Sequence, residues 1–179
     1  MKNIQLKSIL FASFIALVTS SCSTDIEPLD PSIDINSFAS IVGIYSMTAF
    51  NTSVPTDLNN DGTSSTNQML ETECFFGNTL AIFSNNTFTA TSKGLDINTT
   101  GTTTTLECYS DPDIAGTWAL VGNVLTLSYT EAGMPYTEVF VFSGSNTLTY
   151  TEAQGEIVGM TSTNVPIYLT SSIDIVYKK

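Results

Sequence analysis

The stretch AGTWALVGNVLTLSYTEAGMPYTEVFVFSGSNTLTY, residues 115–150, decides the fold. It contains four short runs rich in β-branched and aromatic residues. Turn-forming residues separate the runs at Gly122-Asn123, at residues 132–135 and at residues 143–145. Such runs, with glycine turns between them, are typical of consecutive antiparallel strands. The stretch therefore predicts an up-and-down meander of four strands.

The flanking sequence predicts further strands for the same sheet. Phe38 to Asn51 alternates like a first strand, residues 79–84 and 87–92 form a hairpin across Asn85-Asn86, and Val165 to Lys178 alternates as a last strand. Residues 93–105 leave two interpretations open: two edge strands joined at Gly101, or a flexible loop. Residues 152–164 have only a weak hydrophobic pattern, and we predict an excursion from the sheet between the meander and the last strand. We expect about eight to ten strands.

A twisted antiparallel sheet of this size tends to close, because closure removes the edge strands that would otherwise aggregate. The sequence thus predicts an all-β fold, an antiparallel up-and-down β-barrel. The alternative architecture is a two-sheet β-sandwich. A barrel of about eight strands either fills its interior with side chains or holds one small ligand.

The composition excludes several classes of function. The chain carries a formal net charge of −12, with five lysines, no arginine and no histidine. Nucleic acid is not an expected partner, since binding phosphates requires a basic surface. Without histidine the usual general base for serine or cysteine is missing, so we expect no enzyme. Paired carboxylates drawn from Glu131, Glu138, Glu152 and Glu156 would be the remaining catalytic option.

The amino-terminal residues predict export. Lys2 and Lys7 precede an apolar run of about ten residues, and small residues follow, which is typical of a secretory signal peptide over residues 1–21. The residues before Cys22 resemble the lipobox of bacterial lipoproteins, which implies lipidation of Cys22 and a membrane anchor. The alternative is an ordinary signal peptide with a cysteine nearby. Residues 22–37 would form the lipidated tether, and residues 38–179 the folded domain.

Gly43-Ile44-Tyr45 on the first strand and Gly116-Thr117-Trp118 in the meander resemble the lipocalin-like domain of lipoproteins from the Bacteroidota. The resemblance covers about residues 38–178 and implies a lipocalin-like barrel in which Tyr45 and Trp118 contact a ligand. Lipocalins have tryptophan where this chain has Tyr45, and an arginine on a late strand that this chain cannot supply. In a narrow barrel, Trp118 and its neighbours would instead be core residues.

Residues 57–62, DLNNDG, match the first half of an EF-hand-type calcium loop. The spacing matters because oxygens at alternate positions converge on one hard cation, and glycine at the sixth position permits a sharp turn. The twelfth position is a glutamine instead of the expected glutamate, with Glu71 and Glu73 nearby. The alternative is a polar turn that binds nothing. The predicted metal ligands are Asp57, Asn59, Asp61, Thr63, Ser65 and Gln68.

Two cysteines, Cys74 and Cys108, remain when Cys22 is assigned to lipid. An exported compartment permits disulfides, and nearby carboxylates disfavour a reactive thiolate, so the sequence predicts a disulfide between them. Two free buried thiols are the alternative.

Together these features predict a lipid-anchored protein of the cell envelope. We place it in the outer membrane because the acidic residues after Cys22 resemble the surface-export signals of Bacteroidota lipoproteins. Its non-catalytic barrel would bind a small lipophilic ligand or an envelope protein, and calcium would stabilise the aspartate loop. The alternative is a structural or accessory surface lipoprotein with a packed core that binds a protein or glycan partner.

Overall fold

The computed structural model describes residues 40–144 and 146–179. The predicted signal peptide, the lipidation site at Cys22 and the tether over residues 22–37 lie outside the described residues. Within the described part of the chain, no helix is long and apolar enough to cross a bilayer.

Eleven strands form in the described residues. The strands of the barrel alternate in direction along the chain, and two insertions interrupt them. In chain order the strands are β1 Gly43–Thr56, β2 Ser65–Asn67, β3 Thr79–Ile82, β4 Thr87–Ala90, β5 Lys93–Thr100, β6 Thr103–Ser110, β7 Ile114–Val121, β8 Val124–Glu131, β9 Met134–Ser143, β10 Thr147–Met160 and β11 Pro166–Lys178.

Eight of these strands close into an antiparallel barrel in the order β1-β3-β4-β7-β8-β9-β10-β11. Closure occurs where β11 pairs with β1, in a register that runs from Ser46 opposite Lys178 to Thr52 opposite Ile173. The predicted up-and-down barrel is therefore confirmed. β2 adds a ninth strand beside β1, and β5 and β6 form a separate hairpin.

The long strands differ from their predicted bounds. β1 begins at Gly43 instead of Phe38 and continues to Thr56, because its second half pairs with β11 and β2. The predicted excursion over residues 152–164 is wrong, since β10 continues to Met160 against β11. A register shift between Glu152 and Gly155 interrupts the alternation there, which conceals the strand in the sequence.

Other local predictions agree with the structure. The 79–92 hairpin forms, with Asn86 in the left-handed region at φ 63°. Residues 93–110 form the hairpin β5–β6, turning at Gly101 with φ 65°, so the first of the two interpretations of this region is correct. Two 3-10 turns, Gln68–Leu70 and Glu73–Phe75, lie between β2 and β3.

The barrel core fills one end of the interior. The large, fully buried side chains there include Tyr45, Phe88, Leu125 and Leu148, and Trp118 is 3% exposed. The strand junctions β3–β4, β7–β8 and β9–β10 lie at this end, which we call the closed end. Both insertions, β2 with the 3-10 turns and the hairpin β5–β6, leave the barrel at the opposite end, which we call the loop end.

Lys179, which follows β11, links the end of β11 to the residues before β1 at the closed end. Its ammonium lies 5.2 Å from the centroid of the Tyr45 ring and donates hydrogen bonds to the carbonyls of Ser40 and Val42, the latter at 2.9 Å. Gly43 takes φ 151°, a backbone conformation that other residues rarely adopt, and a Cβ there would lie 2.9 Å from the Lys179 side chain. The chain has no arginine that could lie over the aromatic ring of the first strand. The ammonium of Lys179 lies over that ring, the one of Tyr45, in its place.

Replacing Lys179 by alanine should lower the free energy of unfolding by about 1 to 2 kcal/mol, because the charged hydrogen bonds and the ring contact are both lost. Urea unfolding of the full chain measures this. Lys179→Arg should retain most of the stability, and Lys178→Ala, at the exposed neighbour, should stay within about 0.5 kcal/mol of the wild type. Equal effects of the substitutions at 178 and 179 would contradict the account.

Candidate ligand-binding site

The side chains that line the barrel interior change from aliphatic to aromatic and polar towards the loop end. On β8 the buried Leu125 and Leu127 are followed on the same face by Tyr129, and on β10 Leu148 is followed by Tyr150. Successive residues on one face of a strand are two apart, so these tyrosines point into the barrel. Four half-buried residues in this part of the interior form what we call the mouth cluster: Tyr129, Tyr136, Glu138 and Tyr150.

A hydrogen bond organises one side of the mouth cluster. The hydroxyl of Tyr129 donates to Oε1 of Glu138 at 2.8 Å. The rings of Tyr129 and Tyr136 stack with centroids 5.6 Å apart, and Phe88 meets the Tyr129 ring edge-on at 6.2 Å. Gly116 opposite Tyr129 is necessary here, because a Cβ would lie 2.7 Å from the Phe88 ring. These contacts hold the carboxylate in place.

Phe140 joins the mouth cluster to the core. Its ring lies 5.5 Å from the Tyr150 ring and 6.2 Å from the Tyr177 ring, and its own side chain is 4% exposed. The cluster therefore has an apolar floor and a polar rim, in which the rings and one carboxyl group remain partly accessible to solvent.

The charges near the mouth are negative. Burial raises the pKa of the Glu138 carboxyl above its ordinary value of 4.5, and Glu131 and Glu152 raise it further, whereas the hydrogen bond from Tyr129 lowers it. Burial and then Glu138 raise the pKa of Tyr129, and burial followed by Glu152 and Glu138 raises that of Tyr150. The tyrosines therefore remain neutral hydrogen-bond donors near neutral pH.

Tyr45 and Trp118, the residues predicted to contact a ligand, lie in the core at the closed end. The hydroxyl of Tyr45 donates to the carbonyl of Ile41 at 2.7 Å, and Nε1 of Trp118 donates to the carbonyl of Phe83 at 2.9 Å. Burial raises the pKa of Tyr45 to about 12. Both side chains have structural contacts here, and a ligand contact by either one stays a prediction.

The two insertions at the loop end are joined covalently. Cys74 and Cys108 form the predicted disulfide between the second 3-10 turn and β6. The buried Asn78 adds three hydrogen bonds, to the carbonyl of Phe75 and to both backbone polar groups of Lys93. A bridge closing about 35 residues stabilises the fold by roughly 4 kcal/mol in the chain-entropy model.

The aspartate loop, residues 57–63, is held by hydrogen bonds from its backbone amides to its own side chains. Asp57 accepts hydrogen bonds from the amides of Asp61, at 3.1 Å, and Gly62, at 2.9 Å. Asp61 accepts one from the amide of Thr63, and Asn59 accepts another from Asp61. The structure therefore brings four of the six predicted metal ligands into one loop.

Ser65 and Gln68 lie apart from this loop arrangement. Ser65 begins β2, and its hydroxyl accepts from the amide of Asn67. Gln68 is buried, accepts from the hydroxyl of Thr56 and donates to that of Thr52. Glu71 lies closer to the loop, since its carboxylate accepts from the amide of Leu58. Asn67 caps the following 3-10 turn, because its side chain accepts a hydrogen bond from the amide of Met69.

A surface cleft of about 340 Å³ lies between the aspartate loop and the β10–β11 turn. Its lining is mainly polar. Among the residues that the structure describes, no group of three or more histidine, cysteine, aspartate or glutamate side chains is placed to hold a metal ion. The cleft is lined by Pro55, Thr56, Asp57, Asn60, Ser64, Met160, Thr161, Ser162, Asn164 and Leu169.

A family model described as a lipocalin-like domain matches residues 41–153, which is more than half of the chain. The chain belongs to the lipocalin-like domain family. Comparisons with curated proteins and with solved structures found no match. The matched range ends within β10, and the lipocalin-like barrel is closed by β11 beyond it.

Sequence reasoning missed the mouth cluster of the lipocalin-like barrel. A signal was present, because the inward face turns from aliphatic residues to tyrosine on β8 and β10. Recognising that these tyrosines meet Glu138 requires the register of three strands. Glu138 itself was considered only as one member of a carboxylate pair.

The raised pKa of Glu138 makes stability depend on pH. A carboxyl group whose pKa is higher in the folded state contributes stability below its unfolded pKa and loses it as pH rises through the folded value. As pH rises above about 4.5, wild type should therefore lose stability relative to Glu138→Gln. Urea unfolding at several pH values measures the difference, with the exposed Glu156→Gln as control. A difference independent of pH would contradict the assignment.

Proposed function

We propose that this protein binds a small lipophilic ligand at the loop end of its barrel, without catalysis. Lipocalin-like barrel families are generally binding proteins rather than enzymes, and the chain belongs to one. The observation that carries the proposal is the mouth cluster. Half-buried tyrosine rings and a carboxylate line the barrel interior above the apolar floor of Phe140. Binding sites for small molecules combine such apolar surfaces with a few polar groups.

Native mass spectrometry of the full chain, purified from the cells that make it, tests this binding. We expect a retained species of a few hundred daltons, the size of a drug-like or lipid-like ligand. Tyr136→Ala should reduce the retained fraction, because it removes a ring of the mouth cluster. Tyr168→Ala, on the exposed outer surface, is the matched control and should not. Equal retention in both variants would place the ligand elsewhere.

A second candidate function is that of an accessory protein that binds a protein partner. Four valines are exposed on the outside of β7, β8 and β9, with Val124 opposite both Val121 and Val141 in register and Val139 two residues from Val141. Exposed apolar patches commonly mark interaction surfaces. The native mass spectra distinguish the two candidates, since a partner-binding protein with a packed barrel would carry no retained small molecule.

We propose further that the protein is a lipoprotein anchored in the outer membrane by acylation of Cys22. The support comes from sequence: a charged and apolar leader precedes small residues and Cys22. Several acyl chains on one cysteine give stable anchoring, since each buried methylene adds roughly 0.8 kcal/mol. The barrel would then be tethered to the membrane surface.

Metabolic labelling with a fatty acid in a bacterial host tests the anchor. The full chain should incorporate label, and Cys22→Ser should abolish it, because the acylated sulfur is lost. A double variant with serine at positions 74 and 108 should keep the label. Label retained in Cys22→Ser would exclude lipidation at that residue.

We also propose that calcium binds the aspartate loop and stabilises it. The loop presents Asp57, Asn59 and Asp61 at the spacing that hard cations require, and Asn60 and Gly62 take positive φ at its turn. The contact between Glu71 and Leu58 brings a further carboxylate beside the loop.

Calorimetric titration of the full chain with calcium measures this site. Asp57→Asn should weaken calcium binding by at least about tenfold, because one of the charged oxygen ligands becomes neutral. Asp113→Asn, at an exposed position outside the loop, should leave the affinity unchanged. Unchanged affinity in Asp57→Asn would exclude the loop as the binding site.

A further inference from the structure

The mouth cluster contains a negative charge that the described protein does not neutralise. The charged groups that act on Glu138 are Glu131 and Glu152, both acidic. Its hydrogen-bond partner, Tyr129, is neutral. A carboxylate that is partly desolvated and flanked by two others gains most from a positive charge brought by a ligand.

The lysines that the structure describes lie outside the mouth cluster. Lys179 lies over Tyr45 at the closed end, Lys178 is exposed at the end of β11, and Lys93 begins β5, its ammonium beside Gly77. In the described part of the chain, the mouth cluster therefore combines one carboxylate with aromatic rings and has no lysine. A ligand carboxylate, such as that of a fatty acid, would be repelled by Glu138 and its acidic neighbours.

Aromatic rings supply the second element of cation recognition. Tyr136 stacks on Tyr129, which holds Glu138, while Tyr150 packs on the floor formed by Phe140. The faces of tyrosine rings attract ammonium groups, and the attraction strengthens when water is partly excluded. The apolar floor would receive the uncharged body of the same ligand.

We propose that the mouth cluster binds an organic cation: an ammonium group, held by Glu138 and the tyrosine rings, carried on an apolar or aromatic body. This inference rests on the proposed binding function and specifies its ligand class. Glu138 makes the charge contact, and Tyr129 positions its carboxylate by hydrogen bonding.

Three probes of nearly equal shape test the charge preference: 2-phenylethylammonium, 2-phenylethanol and 3-phenylpropionate. Calorimetry with the full chain should show the ammonium probe binding at least about tenfold more tightly than the alcohol, and the carboxylate more weakly than either. Glu138→Gln should remove the preference for the ammonium probe, so that the ammonium probe binds no more tightly than the alcohol. A cooperative urea unfolding transition shows that the variant is folded.

Glu156→Gln is the matched control, because it removes the same charge from an exposed position on β10. It should leave all three affinities unchanged. Equal loss in the two glutamine variants, or equal binding of ammonium and alcohol probes by wild type, would overturn the cation inference while the binding function stands. If wild type binds none of the three probes, the cation inference is overturned, and the native mass spectra decide separately whether the proposed ligand binding stands.

Discussion

The pairing of β11 with β1 is the interaction on which the rest of the structure depends. It joins the two ends of a strand series, so that every inward side chain meets others across an enclosed interior. Lys179 extends this closure past the last strand by covering Tyr45 and binding two carbonyls. An open sheet of the same strands would leave β1 and β11 as exposed edges, with no common core for their inward side chains.

Closure also makes the two ends of the barrel different. At the closed end, short junctions let side chains such as Trp118 fill the interior, and their polar atoms bond to the backbone. At the loop end, the insertions are joined to each other by a disulfide, and tyrosines with Glu138 occupy the interior. A rigid floor beneath a polar, partly solvated rim is the arrangement that allows a barrel to bind a small molecule.

The sequence predicts what local signals encode. The meander over residues 115–150 and the hairpin at Asn85-Asn86 follow from nearby residue types and turns. The disulfide follows from the number of cysteines and the predicted export. The second half of β10 was missed because the register shift after Glu152 breaks the alternation. The mouth cluster was missed because it depends on the pairing register of β8, β9 and β10. The contact of Lys179 with Tyr45 was missed because these two residues are distant in sequence.

The most direct test of this account uses nuclear magnetic resonance of the full chain titrated with 2-phenylethylammonium. Trp118 is the only tryptophan, so its indole N–H gives one assignable signal at the closed end. The account predicts that ring signals of Tyr136 and Tyr150 shift while that indole signal stays fixed. A shift of the indole signal with unchanged tyrosine signals would contradict the account and place the ligand in the closed end.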